Sequence, residues 1–224
     1  MHYDWDWKGA EREFGRAIEL NPNYPTAHHW YAYDLAAMNR MPEALNEIWC
    51  AQQVDPLSAI INTDVAELLY YAGRYDQAIQ QDKVALEIAP QFLLAHSLLG
   101  EIYGEQHRYS EALAEGQRAV ELSGGSPWML ARLGRTYALS GDRARAEQVL
   151  RQLVELSARR KGMSGVIAGV AAALGKHDKA FAAVQKACEE RDGGLMLLNY
   201  DHAWDPLRSD PRFQQLVRRV GLPP

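Results

Sequence analysis

Few residues of this sequence stand in patterns that could carry out chemistry. Tyr33, Asp34 and Leu35, followed by Asn39, imitate the Asp and Asn spacing of a kinase catalytic loop, but no His-Arg pair precedes them. The sequence also lacks an Asp-Phe-Gly motif and a glycine-rich loop to accompany them. Phosphate-binding loops, nucleophile elbows and Cys-x-x-Cys pairs are absent as well. We therefore predict that the chain has no catalytic residues and is not an enzyme.

The best candidates for metal ligands are His28 and His29. Adjacent residues of a helix point about a third of a turn apart or more, so the two rings cannot readily share one ion. Cys50 and Cys188 lie far apart in the sequence and on apolar faces, which favours two buried free thiols over a disulfide or a redox pair. We expect no metal and no cofactor.

The remaining candidates are aromatic and charged side chains that would share one face of a row of helices. When helix pairs stack into a superhelix, the first helix of each pair lines the concave side. Counting the inward positions of those helices gives eleven residues, which we call the predicted groove residues: His29, Tyr33, Thr63, Glu67, Tyr70, Tyr71, Ser97, Glu101, Glu105, Trp128 and Arg135. Aromatic faces and carboxylates together suit an extended peptide with Arg, Lys or aromatic anchors. Alternatively, these residues are an incidental solvated surface or pack on neighbouring turns.

The helices that must position this face are predicted by a repeat of 34 residues. One register holds six alanines: Ala10, Ala44, Ala78, Ala112, Ala146 and Ala180. Twelve residues after the first three of them come Pro22, Pro56 and Pro90. This is the period and pattern of the tetratricopeptide repeat, in which small residues sit where two helices touch and Pro closes the repeat. The sequence therefore predicts an all-α, right-handed superhelical solenoid of helix-turn-helix tetratricopeptide repeats.

We predict the solenoid over residues 1–194, as a half repeat followed by five repeats, and a C-terminal cap or tail over residues 195–224. The opening, Asp6–Leu20, matches only the second helix of a repeat. It is either the start of a fragment of a longer protein or a degenerate cap, and the fragment is favoured because Trp5 and Trp7 would otherwise lack cover. The helix predicted at Pro211–Val220 has one apolar side, which we expect to cover the last repeat.

Asp82 and Gly116 interrupt the repeat pattern. Both stand at a position where a large apolar residue is usual in this repeat. We expect the packing at these two places to be looser than elsewhere or rebuilt.

Composition and charge limit the classes of partner. The chain is 47% hydrophobic and 24% charged, as in an ordinary soluble protein, and no apolar run approaches the roughly 18 residues of a membrane span. The net charge is −5, and Met41–Glu121 holds thirteen acidic residues against four basic ones. Such a chain lacks the cationic footprint of a nucleic-acid-binding protein. The start is not a signal peptide. We predict a cytoplasmic protein that binds neither membranes nor nucleic acid directly.

The two ends of the sequence carry a closer resemblance. The opening DWDWKGAEREFGRAIELNPNYPTAHHWYAYDLA, the phrase VDPLSAIINTD and the ending WDPLRSDPRFQQLVRRVGLP look like the tetratricopeptide tails of multidomain bacterial signalling proteins. The resemblance implies a tail that follows a winged-helix DNA-binding domain or a serine/threonine kinase domain and that binds proteins. This sequence contains no such effector domain.

These observations predict a non-catalytic interaction module that binds a peptide or protein segment in its concave groove. The resemblance implies that it serves a bacterial signalling or transcription regulator. Aromatic and acidic groove residues favour a basic, aromatic-containing partner. A self-assembling structural element is the alternative. In it, the open solenoid ends pair between copies into a homo-oligomer, and so do the acidic zone Met41–Glu121 and the zone Ala131–Lys161, which holds eight basic residues against three acidic ones.

Overall fold

The computed structural model describes residues 5–223, in which twelve α-helices and two 3-10 helices occur and no strand. The α-helices are α1 (Trp7–Leu20), α2 (Pro25–Ala37), α3 (Met41–Val54), α4 (Ala59–Tyr71), α5 (Tyr75–Ile88), α6 (Leu93–Glu105), α7 (Tyr109–Leu122), α8 (Pro127–Leu139), α9 (Arg143–Ser157), α10 (Ser164–Ala173), α11 (His177–Glu190) and α12 (Pro211–Val220). The 3-10 helices span Gly193–Asn199 and His202–Leu207. The predicted all-α class is confirmed.

The helices from α2 to α11 form five consecutive pairs, and α1 precedes them as a single helix that packs on α2. The first helices of successive pairs, α2, α4, α6, α8 and α10, also contact one another in order. Each pair therefore stacks only on its neighbours, as in a solenoid. This row of first helices lines the concave side.

The turn inside each helix pair has the same backbone conformation. One residue of every turn has a positive φ, between 60° and 86°: Asn39, Gly73, His107, Gly141 and Gly175. Glycine enters this left-handed region freely, and it lets the last carbonyls of the first helix be capped before the next helix starts. The five residues are 34 apart, so one turn geometry sets the angle within every pair.

The six alanines of the repeat register are all buried, with at most 2% of each residue exposed. They lie at contacts between helices, where a larger side chain would push the two backbones apart. The alanine register therefore marks the closest approach of the helices, as the repeat pattern predicts.

At Gly116, one of the two departures from the repeat pattern, the helix packing is rebuilt and is not loose. A Cβ atom added to Gly100 would lie 3.1 Å from the backbone nitrogen of Gly116 and 3.2 Å from the carbonyl oxygen of Ala112. One added to Gly116 would lie 3.1 Å from Cδ1 of Leu133. Two glycines thus bring α6 and α7 closer together than larger residues would allow, and Leu133 fills the remaining space.

Asp82 is the other departure, and it places a carboxyl group in the core of α5. The residue is fully buried, and neither carboxyl oxygen has a hydrogen-bond partner within the described part of the chain. The Thr63 hydroxyl is near enough to favour the ionised form, but it does not reach hydrogen-bonding geometry. Burial, together with the nearby carboxylates of Glu67, Glu115 and Asp64, raises the pKa of Asp82 to about 8.

The residues after α11, numbers 192–223, form the C-terminal segment, which returns across the concave side. Its first 3-10 helix contacts α2, its second contacts α10, and α12 contacts α11. At its end, the Trp7 indole donates a hydrogen bond of 3.0 Å to the carbonyl oxygen of Val220. Gly221 also lies against that indole. The expectation that Trp7 lacks cover is therefore wrong, because α12 contacts the last helix pair while its C-terminal end reaches the first helix.

We predict that Asp82→Asn stabilises the protein and flattens its pH dependence. The raised pKa means that folding holds a proton on Asp82 which the unfolded chain releases, so this residue costs stability as the pH rises from about 3.8 towards about 8. Relative to Asp82→Asn, the natural chain should lose roughly 1 kcal/mol of unfolding free energy per pH unit in this range. Denaturant titrations at several pH values measure this, with Asp55→Asn, an exposed site, as the control. Parallel pH profiles for the natural chain and Asp82→Asn would contradict the prediction.

Candidate functional site

The eleven predicted groove residues all lie on α2, α4, α6 and α8. Seven of the eleven are buried, and Glu67, Glu105 and Arg135 are partly exposed. Trp128 is the most exposed, at 38% of the residue. The structure therefore brings these residues onto one side of the solenoid, although few of them face open solvent. Their role in binding a partner stays a prediction.

Four of these residues form a ladder along the concave side, since they occupy the same position in four successive repeats. Tyr33, Glu67, Glu101 and Arg135 are each 34 residues apart. The Tyr33 hydroxyl lies 2.5 Å from Oε2 of Glu67, and Nη1 of Arg135 donates to Oε1 of Glu101 over 2.8 Å. Because the repeats stack, side chains that lie one repeat apart in the sequence contact each other directly.

Arg132 completes the ladder. Its Nη2 lies 3.3 Å from Oε1 of Glu67, and its Nη1 lies 3.3 Å from Oε2 of Glu101 and from the hydroxyl of Ser97. The sequence reasoning missed this residue because it counted fixed positions of each helix. The available signal was its place one helical turn before Arg135, on the same face of α8.

His29 and Tyr33 share a second carboxylate, Asp64. Nε2 of His29 lies 2.5 Å from Oδ2 of Asp64, and the Tyr33 hydroxyl lies 2.9 Å from Oδ1. The ring of His28 points elsewhere, with Nδ1 2.6 Å from Oε2 of Glu47 and Nε2 2.9 Å from the carbonyl oxygen of Pro22. The two adjacent histidines therefore serve different contacts. No group of residues that could hold a metal ion is found within residues 5–223.

Burial and pairing together set the charges of the ladder. Burial raises the pKa of Glu67 and of Glu105, although nearby guanidinium groups oppose the shift. Burial alone would lower the pKa of Arg132 and Arg135, but the surrounding carboxylates, Glu101 first, raise it above the usual value. Both guanidinium groups therefore stay charged. The negative charge of the acidic groove residues predicted from sequence is therefore largely compensated by these two arginines.

The aromatic residues at the end of α4 are covered by the C-terminal segment. The ring of Tyr71 lies 4.9 Å from that of Tyr200, edge to face, and the ring of Tyr70 lies 5.0 Å from that of His202. Nε2 of His202 is also 3.3 Å from the carbonyl oxygen of Tyr70. These two tyrosines, predicted to contact a partner, instead contact the protein's own chain.

Charged residues of the C-terminal segment complement those of the ladder. Asp201 favours the charged forms of Arg132 and Arg135, while Glu105 favours protonation of His202. The hydrogen bond between His202 and Asp205 is the main reason why the pKa of His202 is raised. An acidic residue and a basic residue, adjacent in sequence, thus meet opposite charges on the groove.

The contact between the segment and the groove leaves several polar groups unsatisfied. The hydroxyls of Tyr70 and Tyr200 and the indole nitrogen of Trp204 are buried without a hydrogen-bond partner among the described residues. An unsatisfied buried donor costs roughly 1–3 kcal/mol. The segment is therefore held by apolar burial and charge, at some expense in hydrogen bonding.

A cavity of about 190 Å³ remains between α8, α10 and the C-terminal segment. Its lining includes Glu101, Trp128, Arg132, Arg135, Val166, Gly169, Asp192, Asp201 and Trp204. The exposed Trp128 stands at this cavity, and the guanidinium of Arg160 lies 4.9 Å from the centre of its ring. This part of the groove can admit a side chain while the segment is in place.

Two further properties bear on function. In the part of the chain that the structure describes, no helix is long and apolar enough to cross a membrane. Cys50 and Cys188 are free, and burial raises the pKa of both thiols, which disfavours the reactive thiolate.

We predict that Glu101→Gln destabilises the protein by about 2 kcal/mol, since it removes the carboxylate that compensates two partly buried guanidinium groups. The control is Glu111→Gln, which breaks an exposed ion pair with Arg108 and should leave the melting temperature unchanged. Thermal denaturation of both variants checks the prediction. Equal melting temperatures for the two would show that the ladder adds nothing to stability.

Comparisons with known proteins agree with the repeat pattern. Two family models, both described as tetratricopeptide repeat, match residues 63–127 and 104–160. Over 85 residues the chain is 27% identical to small glutamine-rich tetratricopeptide repeat-containing protein 2 of Mycosarcoma maydis, a match over 38% of this chain and 24% of that protein. Over 127 residues it is 26% identical to tetratricopeptide repeat protein 6 of Homo sapiens, over 55% of this chain and 24% of that protein. The matches span about a quarter of these relatives.

Solved structures resemble most of the chain. PilW, a widely conserved type IV pilus biogenesis factor, superposes with a TM-score of 0.63 at 17% identity, over 95% of this chain and 91% of its own. A thermophilic tetratricopeptide repeat protein of Thermus thermophilus gives 0.61 at 19% identity, over 88% and 100%. A chain of the Cut9–Hcn1 hetero-tetramer of the APC/C gives 0.66 at 14% identity, over 98% and 47%. At these identities the likeness concerns the fold. The chain is an all-helical solenoid that contains tetratricopeptide repeats.

Proposed function

We propose that this protein is a non-catalytic protein–protein interaction module that binds a peptide or protein segment in its concave groove. The observation that carries the proposal is that the concave side already accommodates polypeptide from outside the repeats, in the two 3-10 helices of the C-terminal segment. A surface that accepts one irregular segment through rings, carbonyls and charges has the chemistry to accept another. The cavity beside Trp128 gives a partner a place to start.

The chemistry around that cavity favours a partner with basic and aromatic side chains. Asp192, Asp201 and Glu101 line it, against the two guanidinium groups of Arg132 and Arg135, so the carboxylates outnumber the cations. Arg160 already lies over the Trp128 ring, which is the position that a partner's Arg or Lys would take. Affinity would come mainly from burial of aromatic rings, with charge orienting the partner.

The setting of the module is part of the proposal. The resemblance of the two ends to the tails of multidomain bacterial signalling proteins favours a role within a signalling or transcription regulator. In that setting residues 1–194 form the recognition solenoid and residues 195–224 its C-terminal cap or tail. The partner would then control, or be recruited by, an effector domain.

We expect Trp128→Ala to weaken the binding of peptides selected against the full chain. Trp128 is partly exposed on the concave side, so its loss removes an anchor without opening the core, and such anchors are worth about 2 kcal/mol or more. Trp49→Ala is the matched control, because Trp49 has a similar exposure, 36% against 38%, and lines a different surface depression. Fluorescence anisotropy with peptides from a random library measures both.

If Trp49→Ala weakens binding as much as Trp128→Ala does, the concave groove is not the binding surface. Selection of acidic peptides alone would contradict the proposed partner chemistry. Binding that is faster at low salt would support charge steering by the groove.

Self-association is a second candidate, favoured by exposed leucines between repeats. Leu20, the last residue of α1, and Leu57, between α3 and α4, are 71% and 76% exposed. Two large exposed apolar side chains between repeats could contact a second copy. If they do, the mass seen by analytical ultracentrifugation rises with concentration, and Leu20→Ser with Leu57→Ser keeps the protein monomeric. A monomeric mass for the natural chain at all concentrations would reject this candidate.

A further inference from the structure

We propose that the groove recognises partner segments with an aromatic, an acidic and a basic residue in succession, and that such a partner binds by displacing residues 193–207, the part of the C-terminal segment that holds the two 3-10 helices. The C-terminal segment itself carries this pattern, in Tyr200, Asp201 and His202. The inference rests on the proposed function, because it names the ligand chemistry of the same groove.

Each residue of the triplet meets a matching feature of the solenoid. The Tyr200 ring packs edge to face on Tyr71, at 4.9 Å between centroids. Asp201 lines the same cavity as Arg132 and Arg135 of α8, and its charge favours the charged guanidinium groups. His202 packs on the ring of Tyr70 and lies near enough to Glu105 for each to favour the charged form of the other. Aromatic, acidic and basic positions are thus recognised by different groups.

The order of the charges follows from the ladder. Arg132 and Arg135 lie on α8, while Glu105 is the last residue of α6. Along the C-terminal segment, Tyr200 meets Tyr71 at the end of α4 first, and Asp201 then lies beside the two arginines of α8. His202 follows and lies near Tyr70 and Glu105. A ligand with the acidic and basic residues exchanged would place like charges together, which is destabilising.

The C-terminal segment fills the groove with buried apolar side chains, but it leaves polar groups without hydrogen bonds, so another segment can replace it. Leu195, Leu198 and Leu207 are fully buried, which holds the segment in place. The hydroxyl of Tyr200 and the indole nitrogen of Trp204 have no hydrogen-bond partner among the described residues, and the hydroxyl of Tyr70 beneath them has none either. A partner that offers an acceptor to the Tyr70 hydroxyl would gain a hydrogen bond that the internal segment lacks, and displacement would return the Tyr200 hydroxyl and the Trp204 indole to water.

Competition from a tethered segment sets the expected affinities. A segment joined to its groove by a short linker is present at a high effective concentration, so it excludes most free peptide. The apparent dissociation constant of a partner is raised by the inverse of the fraction of molecules whose groove is open. Any change that loosens the C-terminal segment should therefore tighten the binding of free peptide.

The test uses the full chain and a fluorescent peptide with the sequence of residues 195–207, LMLLNYDHAWDPL. The double variant Tyr200→Ala/His202→Ala should bind this peptide at least about tenfold more tightly than the natural chain, because its own segment competes less. Gln215→Ala, at an exposed position of α12, is the control and should bind like the natural chain. In the peptide itself, Asp201→Lys together with His202→Asp should weaken binding at least about tenfold.

Hydrogen exchange of the natural chain gives a second measurement that does not depend on the variant folding. Saturating peptide should increase the exchange of amides in residues 193–207, since displacement exposes them. Unchanged exchange on peptide binding would overturn the inference. Equal affinity for the natural peptide and for the peptide with Asp201→Lys and His202→Asp would overturn it too. Library peptides that bind beside Trp128 without these effects would overturn the inference alone. Failure of every peptide to bind both the natural chain and a folded double variant would overturn the proposed function as well.

Discussion

Close approach of helices at the six repeated alanines is the constraint on which the structure depends. Because no side chain larger than a methyl group separates the backbones there, each helix pair stacks on the next at a short and nearly constant offset. That offset brings side chains 34 residues apart into contact, as Tyr33 with Glu67 and Glu101 with Arg135. At Gly100 and Gly116 the same requirement is met by removing the methyl groups altogether. The concave surface is therefore a product of the packing behind it.

The ladder shows how a solenoid can carry charges on a nearly buried face. An isolated buried ion is costly, so the carboxylates of Glu67 and Glu101 are retained only with the guanidinium groups of Arg132 and Arg135 beside them. This pairing has a functional consequence, because it leaves little free charge for a ligand. Recognition in this groove then depends mainly on aromatic rings, since even Glu105 at the end of α6 lies 3.8 Å from Nη2 of Arg135.

The C-terminal segment closes the solenoid through contacts that the repeats do not provide. It covers the tyrosines at the end of α4 and extends from the last helix pair to Trp7 of the first helix. Apolar side chains of this segment bury surface that the concave side would otherwise expose to solvent. Its unsatisfied hydroxyl and indole groups reduce what that burial contributes. The contact between the C-terminal segment and the concave side therefore both stabilises the fold and limits access to the groove.

The sequence alone determined the helices, the turns and the side of the solenoid on which the groove residues lie, since these depend on local spacing and on contact between neighbouring repeats. Even there, the turn residue His107 has a positive φ although a histidine carries no strong turn signal. Only the tertiary structure decided that Arg132 compensates the acidic residues and that Tyr70 and Tyr71 are covered. The C-terminal segment lies outside the repeat, so no register predicts its path. Its position is set by burial against residues more than a hundred positions away, and such contacts leave no periodic trace in a single sequence.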